Sequence, residues 1–145
     1  MRTALVSFVL GAVLVTGAAA TPPPRLTLTT STARPVVDQA WRWTVVARSA
    51  SGKPVAGKMR LQILFGTTVV GCWKRAAMAQ CTGAGSGTWL RFKGKRTGVL
   101  TWPAQSLGVT LTFQAVVVVG GRTRKLRAPV TVQPAPAPPP TTTTP

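Results

Sequence analysis

The sequence is almost without carboxylates, and it lacks several other side chains on which enzymes depend. Asp38 is the one acidic residue, and the chain contains no Glu, His, Tyr or Asn. Glycoside hydrolysis, aspartic proteolysis and two-metal chemistry each need at least two carboxylates. Ser-His-Asp and Cys-His catalysis need a histidine. We therefore predict that the protein is not an enzyme and that it uses no cofactor and no metal ion.

Cysteine is also scarce. Cys72 and Cys81 are the two cysteines of the chain, which are too few for a structural metal site and are not at a thioredoxin-type spacing. In an exported protein we predict that they form a disulfide, which would stabilise the fold by about 2.5 to 3 kcal/mol through chain entropy. The enclosed residues 73–80 contain one Trp, one Lys and one Arg. They form either an exposed recognition loop or a stapled hairpin with solvated charges.

No apolar run is long enough to span a bilayer, but the first residues have another recognisable pattern. Arg2 is followed by an apolar core from Ala4 to Val15, and then by small residues ending at Ala20. This is the pattern of a secretory signal peptide. We predict that residues 1–20 form a signal helix that is cleaved, leaving a Pro-rich linker at 21–24. The mature protein would be secreted or extracellular, released or retained at the cell envelope, and an uncleaved membrane anchor is the alternative.

The other end of the chain is low in complexity. Residues 134–145 are all Pro, Ala or Thr. Such a segment buries too little apolar surface to offset its ordering entropy, so we predict a disordered tail that is rich in polyproline II conformation. The run from Thr141 to Thr144 can accept O-linked sugars, and an unmodified tail is the simpler alternative.

The segment between these ends, residues 25–133, alternates with a period of two. Trp41 and Trp43 share one parity, whereas Arg42 and Thr44 take the other. A helix would need apolar residues at a spacing near 3.6. We predict one all-β domain of about seven antiparallel strands. The predicted strands lie near 25–31, 40–49, 58–65, 67–72, 87–93, 97–102 together with 109–119, and 122–132. The predicted shared core contains Trp41, Trp43, Leu61 and Phe113.

Two short segments resemble parts of a known kind of domain. The run Gly52-Lys53-Pro54-Val55-Ala56-Gly57 precedes the alternating strand Met59 to Phe65, and a later run reads Gly108-Val109-Thr110-Leu111-Thr112-Phe113. These segments resemble a turn and the penultimate strand of extracellular bacterial immunoglobulin-like domains. The resemblance implies an immunoglobulin-like β-sandwich that serves as a stalk, spacer, adhesion module or carbohydrate- or protein-binding appendage. The chain departs from antibody-type domains because its two cysteines lie too close in sequence to bridge two sheets.

Positive charge is what the chain has in excess. Eighteen Lys and Arg residues give a formal net charge of +17. By strand parity, two cations on one strand and two on another point away from the core, and in an immunoglobulin-like sandwich these strands share a sheet. This first predicted cluster contains Lys58, Arg60, Lys125 and Arg127. It is expected to flank Thr110, Thr112 and Gln114. A second cluster is predicted at a hairpin and contains Arg91, Lys93, Lys95 and Arg96.

These clusters predict an anion-binding surface. The partners that an exported protein meets first are anionic wall polymers and phospholipid head groups, and we predict association with one of these. A cell-surface protein docking or adhesion module is the alternative, nucleic acid would bind only non-specifically, and a solvated basic surface without a ligand is the simplest interpretation. An exposed Trp beside Lys or Arg would favour a carbohydrate or membrane-interface site. Parity assigns Trp41 and Trp43 to the core, but it does not orient Trp89 or Trp102.

Overall fold

The computed structural model describes residues 20–137, so the predicted signal peptide up to residue 19 and the last part of the predicted tail, 138–145, lie outside the described residues. The described chain forms nine β-strands and one short 3₁₀ helix, Ala104–Ser106. The strands are β1 (Arg25–Thr30), β2 (Ala40–Arg48), β3 (Ala56–Phe65), β4 (Thr68–Lys74), β5 (Ala77–Gln80), β6 (Leu90–Lys93), β7 (Lys95–Thr101), β8 (Thr110–Val119) and β9 (Arg122–Thr131). Within residues 20–137 no helix is long and apolar enough to cross a membrane.

The strands pair into two antiparallel sheets. The first sheet has the order β1, β2, β7, and the second has the order β9, β8, β3, β4, β5. β6 pairs with β3 beside β4, on the edge of β3 that faces away from β8, and it turns into β7 at Gly94. This hairpin joins the two sheets at one corner. Two sheets with this strand order form an immunoglobulin-like sandwich, which confirms the predicted fold class.

The core lies between the sheets and follows the predicted alternation. Trp41 and Trp43 of β2 are 1% and 2% exposed, and they meet Phe113 of β8, which is fully buried. The Trp41 ring contacts the Phe113 ring edge to face, with 5.1 Å between centroids, and it contacts Trp102 in the same manner at 5.3 Å. Such aromatic pairs add to the stabilisation that burial provides. The predicted shared core of Trp41, Trp43, Leu61 and Phe113 is confirmed.

The predicted strand positions also agree with the structure, although β3 and β7 begin two residues earlier than predicted and β4 ends two residues later. Each predicted segment contains a strand, but Ala77–Gln80 forms a further strand, β5, that was not predicted. The segment predicted at 87–93 is a strand only from Leu90, because the residues before it belong to a loop. The described part of the tail, residues 134–137, is exposed and has no regular structure.

Candidate anion-binding site

The outer face of the second sheet, together with β6 beside it, carries cations on β3, β6 and β9. On β3, Lys58 pairs with Arg91 of β6 on one side, and Arg60 pairs with Val116 of β8 on the other. Val116 in turn pairs with Lys125 of β9. Because residues that pair directly across antiparallel strands point to the same face, these side chains share one surface. We call this surface the basic face, and its cations are Lys58, Arg60, Arg91, Lys125 and Arg127.

The structure therefore places the first predicted cluster on one face of one sheet. Lys93 and Lys95 of the second cluster lie opposite each other across the turn at Gly94. Arg96 lies at the same hairpin, where its Nη1 donates a hydrogen bond to the backbone oxygen of Arg91 over 2.9 Å. The two predicted clusters thus adjoin each other, because Arg91 of the second cluster pairs with Lys58 of the first.

A ladder of amide side chains crosses the basic face beneath its surface. Arg127 Nε donates to Gln114 Oε1 over 2.8 Å, and Gln114 Nε2 donates to Gln62 Oε1 over 3.0 Å. Gln62 Nε2 then donates to the backbone oxygens of Ala84 and Ser86 over 2.9 and 2.8 Å. Gln62 and Gln114 are 0% and 3% exposed. Gln114 therefore lies on the outer face beside Arg127, as the strand parity indicates, but it is covered and not in contact with solvent.

The reason is a loop that crosses the outer face of the second sheet. Residues 82–89 connect β5 to β6, and we call this segment the covering loop. It begins directly after Cys81, which is joined to Cys72 of β4 by a disulfide with a Cα–Cα distance of 5.9 Å. Near its other end, the Thr88 backbone N–H donates to the Trp73 backbone oxygen over 2.7 Å. Both ends of the covering loop are thus tied to β4, and the buried amide of Gln62 satisfies two of its carbonyl groups.

The predicted disulfide is confirmed, and the residues that it encloses form the hairpin of β4 and β5. Cys72 pairs with Gln62 on the outer face, and its side chain is fully buried. Trp73 points to the inner face and is half-buried against the core. The segment 73–80 is therefore a stapled hairpin, the second of the two interpretations of these residues.

The covering loop ends on Trp89, whose orientation sequence reasoning did not predict. Its indole is 38% exposed, and two cations of β3 lie close to it. Lys58 Nζ is 4.9 Å from the ring centroid and Arg60 Cζ is 4.7 Å from it. Arg60 Nη1 also donates to the backbone oxygen of Gly85 over 2.6 Å. We call the group of Trp89, Lys58, Arg60 and Arg91 the Trp89 site.

The chain's single carboxylate lies elsewhere. The backbone N–H of Asp38 donates to the Trp102 backbone oxygen over 3.0 Å, and its φ of 57° is left-handed. Its side chain lines a groove of about 680 Å³ between β5 of the second sheet and β7 of the first. The apolar part of this groove is formed by Ile63, Met78, Leu100, Trp102, Val109 and Leu111. Within residues 20–137, no acidic side chain therefore lies on the basic face to neutralise it.

Comparison with known proteins gives structural similarities only. No family model and no curated protein matches the chain. The fold is similar to the CARDB domain of the PF1109 protein from Pyrococcus furiosus, solved in complex with di-metal ions, at 16% identity and a TM-score of 0.45 over 80% of this chain and 94% of that one. It is also similar to the sporulation control protein Spo0M from Bacillus subtilis, at 11% identity and a TM-score of 0.44 over 77% of this chain. The match spans 50% of the Spo0M chain. Neither similarity identifies a function.

Proposed function

We propose that the protein is a secreted, non-enzymatic binding module of the extracellular bacterial immunoglobulin-like type. It associates with anionic polymers or phospholipid head groups of the cell envelope through its basic face. The observation that carries the proposal is the convergence of cations from β3, β6 and β9 on one outer face. The one carboxylate of the chain, Asp38, lies at the groove between the sheet edges.

The physical basis is electrostatic. Three cations of the basic face are exposed, namely Lys58, Arg91 and Lys125. They can therefore pair with the charges of a polymer while they stay in contact with solvent. Displacement of the polymer's condensed counterions adds a favourable entropy that decreases as salt rises. The field of the basic face extends about 8 Å at physiological ionic strength, so it acts on a polymer that lies along the sheet.

Export is supported by two independent features. One is the pattern of a signal peptide in residues 1–20, most of which lies outside the described residues. The other is the Cys72–Cys81 disulfide, a crosslink that persists in oxidising compartments and is rare in the cytosol. The non-enzymatic part of the proposal is supported by the sequence, because a chain without Glu and His lacks the usual groups for proton transfer.

Sedimentation with three targets tests the proposal. The mature protein, beginning at Thr21, is mixed with purified cell envelopes, with isolated wall polymer and with phosphatidylglycerol vesicles. We expect retention at about 50 mM salt and release at about 500 mM salt on at least one target, as for other interactions driven by counterion release. The target that retains the protein distinguishes a wall polymer from a lipid surface. Failure of all three to retain the protein in a salt-sensitive manner would contradict the proposal.

The groove between β5 and β7 favours a second candidate function, a docking or adhesion module for a surface protein. Both strands lie at the edge of a sheet, where an extended peptide can add as a further strand. The floor of the groove is apolar, since Met78 and Leu100 line it. Crosslinking on intact cells distinguishes the candidates. A specific protein captured equally at low and high salt would support docking, whereas capture that disappears with salt would support the basic face.

A further inference from the structure

We propose that the Trp89 site binds a sugar ring that bears an anionic group, such as a uronic acid unit of an envelope polysaccharide. The sugar ring packs on the indole of Trp89, and its carboxylate lies between Lys58 and Arg91. This inference rests on the proposed function and deepens it, because it names the class of polyanion that the basic face selects.

Trp89 differs from the other four tryptophans in its exposure. Trp41, Trp43 and Trp102 are buried in the core, and Trp73 is half-buried against it. Trp89 instead places a large apolar ring on the basic face, beside Lys58 and Arg60. A flat apolar ring beside cations can contact the apolar face of a sugar while the cations pair with its charge.

The position of the ring is fixed before any ligand arrives. Arg60 binds the covering loop through Gly85, and the loop is tied to β4 at Thr88, directly before Trp89. The Arg60 guanidinium also lies 4.7 Å from the centre of the indole. Arg60 is therefore a positioning residue for Trp89. A site held in place in this way loses less conformational entropy when it binds.

Lys58 and Arg91 supply the contacts to the anion. Lys58 Nζ is 4.9 Å from the ring centre at the end of a flexible stem, so it can move from the indole onto a bound carboxylate. This movement uncovers part of the ring at the moment the charge is bound, which couples the two contacts. Arg91 pairs with Lys58 in the register of β3 and β6, and its planar guanidinium suits the two oxygens of a carboxylate.

The surroundings of Trp89 favour a sugar over a lipid. A membrane-interface site inserts several apolar side chains below the head groups. Phe65, Val70, Val99 and Leu107, the other large apolar side chains that are exposed among the described residues, lie outside the Trp89 site. Phe65 ends β3 at the far side from Lys58, and Val99 belongs to the first sheet. A single indole among cations can pack on one sugar, but it cannot form an apolar wedge.

Titration calorimetry with three soluble polymers tests the inference. Oligogalacturonate carries both ring and charge, its methyl ester keeps the ring without the charge, and poly(glycerol phosphate) of equal charge has no sugar ring. We expect the wild-type protein to bind both charged polymers and to bind the methyl ester far more weakly. Trp89→Ala should weaken oligogalacturonate binding about tenfold, as truncation of a Trp hot spot does. It should leave poly(glycerol phosphate) binding within about twofold.

Controls separate the possible outcomes. Phe65→Ala removes an exposed ring outside the site and should change the affinity for neither charged polymer. If Trp89→Ala folds poorly, Trp89→Leu replaces it, because leucine keeps apolar bulk at this position. Equal losses for both charged polymers, or loss for neither, would overturn the sugar site but leave the proposed function standing. Trp89-dependent binding to phosphatidylglycerol vesicles, without preference for oligogalacturonate, would overturn it in favour of a membrane. A wild-type protein that binds neither charged polymer would overturn the sugar site. Only a protein that is also not retained by envelopes, wall polymer or vesicles would overturn the proposed function as well.

Discussion

Gly98 lets the backbone of β7 lie close to a side chain of the core. It pairs with Trp43 across the first sheet, and the indole covers it. A Cβ atom built on Gly98 would lie 2.3 Å from Cζ2 and 2.6 Å from Cε2 of Trp43. No larger residue fits there unless Trp43 moves, and Trp43 is packed against Phe113 with 6.1 Å between ring centroids.

Gly98→Ala is therefore expected to lower the free energy of unfolding by about 1 to 3 kcal/mol, the usual effect of overpacking a core. Urea denaturation followed by tryptophan fluorescence measures it. Gly85→Ala is the matched control, because a Cβ atom at Gly85 has open space within 4 Å. If both variants unfold at the same urea concentration as the wild type, Trp43 does not lie on Gly98.

The buried amide ladder gives a second expectation for single side chains. Gln114→Leu removes the donor to Gln62 Oε1 and the acceptor for Arg127 Nε. Because Gln62 is fully buried, its oxygen has no water to replace the lost donor, and we expect a loss of about 1 to 3 kcal/mol. Thr112→Val, on the same face of β8 but less buried, is the control.

A double-mutant cycle with Gln62→Leu isolates the pair. We expect a coupling energy of at least about 0.5 kcal/mol between positions 62 and 114, since residues in one hydrogen-bond network are not additive. Additive effects of the two substitutions would show that the amides do not act as a pair.

The burial of these amides also shows what side-chain alternation can and cannot predict. Parity correctly placed Trp41 and Trp43 in the core, because the inner face of a sandwich must be apolar. It also assigned Gln114 to the outer face, which is correct in direction. Strand parity could not predict that residues 82–89 cross this face, since it says nothing about contacts with a loop that is distant in sequence, such as those of Gln62. The orientation of Trp89 depends on the same loop and was inaccessible for the same reason.

At the scale of single elements, the covering loop is attached to β4 at both of its ends. The Cys72–Cys81 disulfide fixes its start, and the hydrogen bond from Thr88 to Trp73 fixes its end. Between them, the loop contacts the sheet through Gln62 and Arg60. The disulfide thus stabilises the element that carries Trp89.

Replacing both cysteines with alanine should lower the free energy of unfolding by about 2 to 3 kcal/mol, the chain-entropy value for a loop of this length. Native-state hydrogen exchange should also show faster exchange in residues 82–89 and in β5, with β2 and β8 unchanged. Unaltered exchange in the covering loop would mean that its hydrogen bonds to Gln62 and Arg60 hold it without the disulfide.

The strands differ in how well each can be predicted from its own sequence. β2 and β8 alternate over nine and ten residues, so they were predicted almost to their ends. β5 has the sequence Ala77-Met78-Ala79-Gln80, with one large apolar residue and no alternation to detect. It is a strand because it pairs with β4 next to the disulfide, and such long-range support is not visible in a four-residue window.

At the scale of the whole domain, both sheets carry cations on their outer faces, but the surroundings of these cations differ. The outer face of the first sheet carries Arg25, Arg42 and Arg48 among threonines, as in the pair Thr44 and Thr97. The basic face of the second sheet combines its cations with an exposed indole. The net charge and the strand parity were readable from the sequence. The difference between the two outer faces could not be predicted from the sequence, because it depends on Trp89 and on the covering loop.

This difference permits a direct test of whether binding belongs to the basic face or to net charge alone. One variant carries Lys58→Glu, Arg91→Glu and Lys125→Glu, and a matched variant carries Arg25→Glu, Arg42→Glu and Arg48→Glu. All six residues are exposed, and both variants lower the formal net charge equally. Retention on purified envelopes is measured for both variants at low salt. The account predicts that the first variant loses retention while the second keeps most of it, and equal retention of the two would contradict it.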